Sequence, residues 1–290
     1  MQEPIGVNYT LKSVRKMISL QMFDSDCLDC GVTDVLPTMK YAAQIIRAIG
    51  IGELLSRPEK MPEWAFNIPA STCKVGMHLV SKEGSNCYKC YCYGRGHYNN
   101  DKVQEALQRR YRFAKFNPNF IPIMSSLISI RCDGKVRIEA RKWFKKNGMK
   151  VRDYWTVKRF RWFDSGDIQS EKMLDDICQI CRNTPDVLHW LPTKEHKIVK
   201  KYIYSGKKIP SNLDLRLSSH FKSKTSVHRV TKLAKRLGLN IGTVLPPDDF
   251  EKVIHSASSF KCPSHKQGNM CLGCTACHRD KVFNVVYEEH

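Results

Sequence analysis

The chain has 290 residues, of which 42% are hydrophobic, 10% aromatic and 26% charged, a make-up that excludes a chain disordered throughout and allows one large α/β barrel. Lys and Arg number 48 against 28 Asp and Glu, a formal charge of +20; such an excess repels itself in a compact fold, so a polyanion, nucleic acid first, is the expected partner. The start of the chain is not leader-like and no run of about 18 apolar residues occurs, so neither secretion nor a membrane span is expected, and in the cytoplasm 13 cysteines read as metal ligands before disulfides.

Residues 37–56 place Ile45, Ile46, Ile49 and Leu54 on one helical face, and Pro58 and Pro62 close that segment. Trp64 to Pro69 predicts a short strand. Behind it stand Cys73, Cys87, Cys90 and Cys92, spaced C-x13-C-x2-C-x-C with His78 and His97 nearby, a second candidate metal group looser than the C-terminal one. Cys27 and Cys30 form a further pair, open to thiol redox chemistry. Residues 101–116 predict a helix with Val103, Ala106, Leu107 and Phe113 or Ala114 inward. The β-branched run Ile121 to Ile130 predicts a strand or buried segment, and Val136 marks another strand candidate.

Charge is concentrated in two regions. Residues 101–163 hold 17 Lys and Arg against 5 Asp and Glu, and residues 194–236 hold 13 against 2. Together these carry +23, which leaves the rest of the chain at −3. Arg109, Arg110, Arg112, Lys145, Lys146, Lys158, Arg159, Lys200 and Lys201 are the candidate nucleic-acid contacts. In the first region Tyr111, Phe113, Trp143, Phe144, Tyr154, Trp155 and Trp162 interleave with the cations, where exposed rings can stack on unpaired bases; the competing reading makes such rings core residues.

Apolar runs then recur at Phe160–Phe163, Val187–Leu191, Leu213–Leu217 and Ile241–Leu245, starting 27, 26 and 28 residues apart. Helical patterns follow at Ser170–Arg182, Glu195–Ile203 and Ser226–Leu237. Strand, loop and helix at that period make βα units of a parallel sheet. With further strands near Trp64, Ile121, Phe260 and Val136, the expected fold is a (β/α) TIM-like barrel, closed or incomplete, with an open doubly wound sheet as the alternative. Cys178 and Cys181 fall in the first of these helices and read as small buried thiols.

In such a fold the loops after the strands form the functional face. Asp164-Ser165-Gly166-Asp167 is the sharpest of them. Two carboxylates three residues apart can take unlike roles, nucleophile or base and its partner; alternatively Asp167 caps a helix and Asp164 closes a turn. Ser165, Gly166, Lys194, Ser218 and His220 complete the candidate substrate-binding rim. Arg216 lies inside a strand pattern, where it calls for an inward carboxylate or a substrate phosphate. His189, beside an apolar run, reads more simply as a structural residue.

Near the C-terminus, Cys262, Cys271, Cys274 and Cys277 have the spacing C-x8-C-x2-C-x2-C, which lets the sulfurs converge on one ion. Zinc fits as a structural staple, and the two-residue spacers also suit an iron–sulfur cluster. The expected organisation is an N-terminal helical segment over 1–63, a barrel over 64–260 and a cysteine-rich metal-binding segment over 261–290.

The runs Trp162 to Asp167, Thr184 to Thr193, Asn212 to Ser218 and Cys262 to Cys277 together resemble a group of bacteriophage proteins similar to DNA-guanine transglycosylases, remote relatives of the queuine tRNA-ribosyltransferases. The resemblance implies a zinc-bearing (β/α) barrel that exchanges guanine in DNA for a 7-deazaguanine base of the preQ0 type, without ATP or redox cofactor. An aspartate, Asp164 or Asp167, would attack the sugar C1′ and the other would recognise the base; the base would leave the duplex stack to be reached. The tRNA enzymes use three cysteines and a histidine for zinc, so Cys262 or His278 would supply the fourth ligand here. Two other readings stand beside it: an iron–sulfur, radical-type barrel enzyme acting on nucleic acid, with Cys87, Cys90 and Cys92 on the cluster, and a non-catalytic zinc-stapled DNA-binding protein.

Overall fold

A computed structural model describes residues 53–58, 64–134, 141–142, 145–148, 157–254, 258–271, 274–278 and 282–289. Most of the helix expected over 37–56, the pair Cys27 and Cys30, the strand near Val136 and the rings of Trp143, Phe144, Tyr154 and Trp155 lie outside them. Seven strands form one sheet: β1 Trp64–Phe66, β2 Lys158–Trp162, β3 Val187–Thr193, β4 Leu213–Ser218, β5 Asn240–Leu245, β6 Ser259–Lys261 and β7 Asn284–Glu288. Their order is β1-β2-β3-β4-β5-β7-β6, with every neighbouring pair parallel. The sheet is open, with β1 and β6 at its edges. The outer side of β1 is covered where Ser56 and Ala65 exchange two backbone hydrogen bonds of 2.8 Å, which removes a free strand edge.

Among the described residues seven helices accompany the strands: α1 Lys74–Leu79, α2 Asp101–Phe116, α3 Phe120–Arg131, α4 Glu171–Asn183, α5 His196–Tyr204, α6 Lys224–Leu237 and α7 Pro247–Glu251. Local chemistry fixes their ends. The side chains of Asn100, Ser170 and Ser223 accept from the backbone amides of Lys102, Met173 and Ser226, satisfying first-turn donors. Gly238 ends α6 in the left-handed conformation, φ 66°, where glycine meets no Cβ penalty. Among the described residues no helix is long and apolar enough to cross a membrane.

Of the two readings of Ile121–Ile130, a strand or a buried segment, the second holds: the run is the body of the helix α3. Phe120, Ile123, Met124, Leu127 and Ile128 are all buried in the main core. A segment enclosed on nearly every side loses its helical polar stripe, so its periodicity no longer separates helix from strand.

Strand order sets how the sheet is wound. From β1 to β5 each strand is laid beside the last in one direction, and right-handed crossovers then put every connecting helix on the same face. The sheet is therefore singly wound over these strands, not doubly wound. On the helix face, Phe160, Trp162, Leu191, Leu213, Leu215, Leu217 and Ile241 pack with Leu174 and Ile177 of α4, Val199 and Tyr202 of α5, and Val230 and Ala234 of α6. Cys178 and Cys181 are buried there without disulfides. His189 is buried too: its Nδ1 accepts from Trp162 Nε1–H at 3.3 Å, so Nε2 carries the proton towards Thr184 Oγ1 at 2.8 Å. Burial holds its pKa at about 3, and a neutral structural imidazole results.

The direction reverses once, because β7 returns between β5 and β6. A right-handed return from β6 to β7 must cross the opposite face. The cysteine-rich segment is that connection. It lies over a polar inner face where the register aligns Arg161, Trp190 and Asp214 in one row and Pro192, Arg216 and Asn240 in the next.

Arg216, fully buried, is held from within. Its Nε and Nη2 donate to Asp214 Oδ2 at 3.1 and 2.7 Å, Nη1 donates to the Ile241 carbonyl at 3.1 Å, and Nη2 donates to the Ala276 carbonyl at 2.8 Å. Asn240 Nδ2 donates to Asp214 Oδ1 at 3.1 Å. Of the two partners expected for Arg216, the inward carboxylate is the one present, and its guanidinium is not turned to a substrate phosphate. Removing one member of a buried pair leaves the other charge uncompensated. Asp214→Ala is therefore expected to cost about 3–5 kcal/mol, measured by denaturant unfolding; a loss under about 1 kcal/mol contradicts this assignment.

Candidate active site at the strand ends

Two loops meet at the C-terminal ends of β1 and β2. Phe163 N–H donates to the Phe66 carbonyl at 2.8 Å, Ile68 N–H to the Ser165 carbonyl at 3.1 Å, and Ser165 Oγ to the Ile68 carbonyl at 3.1 Å. Ser165 is thus a buried brace, not an exposed substrate ligand. Gly166 sits at φ +88°, and a Cβ there would stand 2.2 Å from Ile68 Cγ1 and 2.8 Å from the Ile68 oxygen. Only glycine fits between these two loops.

The aspartates of this loop have unlike surroundings. Asp167 is saturated: Oδ1 accepts from Thr193 Oγ1 at 2.6 Å and from Ile168 N at 2.8 Å, and Oδ2 from Lys194 N at 2.9 Å. Burial raises its pKa to about 6 against these three donors. It ties the end of β2 to the end of β3. Asp164, by contrast, has a buried Oδ1 without a hydrogen-bond partner among the described residues. Burial pushes its carboxyl above the ordinary 3.8, opposed by the cations Arg161 and Arg110 and by His97. Its backbone N–H donates to Asn67 Oδ1 at 3.2 Å, and its carbonyl accepts from Cys92 Sγ at 3.4 Å. Tyr91 and Tyr98 flank it in edge-to-face contact at 5.7 Å, and Tyr91 and Tyr93 are exposed.

The other rim residues separate likewise. Lys194 lies among Asp167 and the thiols of Cys73, Cys87 and Cys90: burial raises Asp167, Cys73 and Cys87 with the Lys194 cation partly opposing it, and Cys90 is lowered chiefly by its hydrogen bond with Cys92. His220 stacks on His196, ring centroids 4.3 Å apart and 18° between planes, and Nε2 donates to the Lys194 carbonyl at 3.0 Å. The Ser218 carbonyl accepts from His196 Nε2 at 2.9 Å. Burial lowers the His196 pKa to about 4. Among the expected nucleic-acid contacts, Arg109, Arg112, Lys145, Lys146, Lys200 and Lys201 are exposed. Lys201 pairs with Glu171 at 2.7 Å and Lys158 with Asp186. Arg110 turns towards Asp164, donating Nε to the Glu53 carbonyl at 3.1 Å. Arg159 is buried, and its Nη1 donates to the Cys274 carbonyl at 2.8 Å. Of the interleaved rings, Phe113 and Trp162 belong to the core.

On the inner face, Cys262, Cys271, Cys274, Cys277, His278 and Trp190 line one cavity of about 20 Å³, room for one water or ion. Burial raises the Cys271 thiol to about 11, and Cys277 further, while it keeps His278 neutral. Cys277 Sγ lies 3.0 Å from Tyr287 Oη. Neutral imidazole and soft sulfur form a suitable donor set, and the thiols would release protons on binding a metal. Among the described residues, however, no three His, Cys, Asp or Glu side chains already converge as a metal site.

Sequence reasoning paired the aspartates but missed Arg161, Asn67 and Tyr98. Arg161 alone carries a sequence signal, a cation alternating with apolar residues in a strand.

The two aspartates should separate in a stability measurement. Asp167→Ala strands a hydroxyl and two amides and is expected to cost about 3 kcal/mol, whereas Asp164→Asn, relieving a buried charge, should leave the denaturation midpoint unchanged or higher. Equal losses would contradict the two roles. No curated protein and no solved structure matches the chain. The family described as gene product 88 matches residues 38–281, and the chain belongs to that family.

Proposed function

We propose that this protein is a DNA base-exchange enzyme built on an incomplete (β/α) barrel, with Asp164 as its nucleophile. The observation that carries the reading is Asp164 itself: a carboxylate largely withdrawn from water, one oxygen unpartnered, at a strand end between two arginines. A structural carboxylate acquires hydrogen bonds on both oxygens as Asp167 does; one with an oxygen left unpartnered at a stability cost is what a nucleophile needs. The choice of guanine and a 7-deazaguanine base rests on the sequence resemblance.

In the first step a carboxylate oxygen of Asp164 bonds to C1′ as the C1′–N9 bond breaks, and guanine leaves with the electron pair and takes up a proton. In the second, N9 of the incoming base bonds to C1′, loses its proton and frees the carboxylate. Arg161 and Arg110 favour the ionised nucleophile, and His97 is the nearby group suited to passing the proton. Tyr91, exposed beside Asp164, offers a face on which a displaced base can stack, and Tyr93 is a second exposed ring of the same loop. Exposed cations of α2 and α5 suit the DNA backbone. In this reading zinc is held by Cys262, Cys271, Cys274 and Cys277, with His278 beside them, and staples the inner-face segment without entering the reaction.

Incubation of DNA with the protein and a 7-deazaguanine base, followed by nucleoside mass analysis, should show the base incorporated. Asp164→Asn should reduce the rate on the order of 10⁴-fold. Because Asp164 reacts only when ionised and its pKa is raised, activity should fall on the acid side with a midpoint above the ordinary 3.8. Incorporation by Asp164→Asn at the wild-type rate overturns the assignment.

A further inference from the structure

The loop from Cys73 to Cys92 is laid across the mouth of the sheet and anchored to three strand ends. Lys74 Nζ donates to the Gln169 carbonyl at 2.8 Å beyond β2. Val75 N–H donates to Glu195 Oε1 at 2.8 Å beyond β3, and Asn86 donates to the Ser219 carbonyl at 2.6 Å and, through its backbone, to the His220 carbonyl at 2.9 Å beyond β4. These ties hold Cys73, Cys87 and Cys90 over the rim, where Cys73 feels the charge of Cys87 and Cys90, Cys87 feels that of Cys90, and all three feel that of Lys194.

Gly76 supplies the space between them. A Cβ at that position would lie 2.9 Å from Cys73 Cβ and 3.7 Å from both Cys73 Sγ and Cys87 Sγ. Both sulfurs therefore border one small volume that any other residue would fill. Cys92 Sγ donates to the Asp164 carbonyl at 3.4 Å and touches only Cys90 of the three, through a thiol hydrogen bond. None of the four is in a disulfide.

We infer that Cys73, Cys87 and Cys90 together bind one thiophilic metal centre, a zinc ion or an iron–sulfur cluster, over the C-terminal ends of β2 to β4. Three protein ligands leave a fourth position open, the arrangement of a reactive rather than a purely structural centre. Thiols ligate only as thiolates, so their convergence follows loss of their protons as metal enters. Lys194 beside them offsets the negative charge that three thiolates bring.

The test uses the full chain purified without oxygen, with elemental analysis and an absorbance spectrum. Iron with a visible chromophore assigns a cluster; zinc in colourless protein assigns an ion. Cys73→Ser, Cys87→Ser and Cys90→Ser should each lose one whole metal equivalent, while Cys92→Ser keeps it and Asp164→Asn keeps it even where base exchange is abolished. If a serine variant fails to fold, thiol alkylation of the wild-type protein decides: a chelator should expose these three cysteines together. Metal content unchanged in folded variants, or equal alkylation with and without chelator, overturns the inference.

Discussion

The buried pair Asp214 and Arg216 is the interaction on which the arrangement of this molecule turns. A guanidinium withdrawn from water needs several acceptors, and here they come from three places: the carboxylate two residues earlier on β4, the β5 carbonyl of Ile241 and the Ala276 carbonyl of the cysteine-rich connection. The pair thereby joins two strands to the segment that covers the inner face. With that face occupied by charge and the opposite face by the aliphatic core, the two sides of the sheet cannot be exchanged. The strand C-termini are then free to carry the rim.

The rim has its own division of labour. Asp167 braces β2 against β3 through three donors, and that rigidity is what allows Asp164, three residues earlier, to remain partly unsatisfied. Gly166 permits both by letting the loop press against Ile68. A site of this kind concentrates its stability cost in one group and its support in the neighbours.

Much of the fold was legible in the sequence because the period of strand, loop and helix survives burial on one face. The four central strands and the helices over 101–116 and 171–183 lie within a few residues of the expected positions. The burial of Ile121–Ile130 was legible but its helical form was not, because a helix enclosed on nearly every side carries no period. The place of the cysteine-rich segment was also hidden: its spacing announces metal chemistry, but only the return of β7 between β5 and β6 places it on the inner face. At the site, sequence identified the Asp164 loop and unlike roles for its aspartates but not which takes which, a matter that depends on Thr193 and Lys194 folding back from the next strand. Arg159 read as a cation available to phosphate, whereas the Cys274 carbonyl holds it, and for Arg216 the sequence left open a carboxylate or a phosphate, of which Asp214 is the partner present. Charge counted along a chain does not distinguish an exposed cation from a buried one.

The central claim, that Asp164 becomes covalently attached to the sugar, is tested most directly by intact-mass and peptide analysis of the protein quenched during reaction with DNA. The account predicts a DNA–protein adduct lacking one guanine, mapped to the peptide that contains Asp164. An adduct on any other residue, or turnover with no adduct at any quench time, would contradict it.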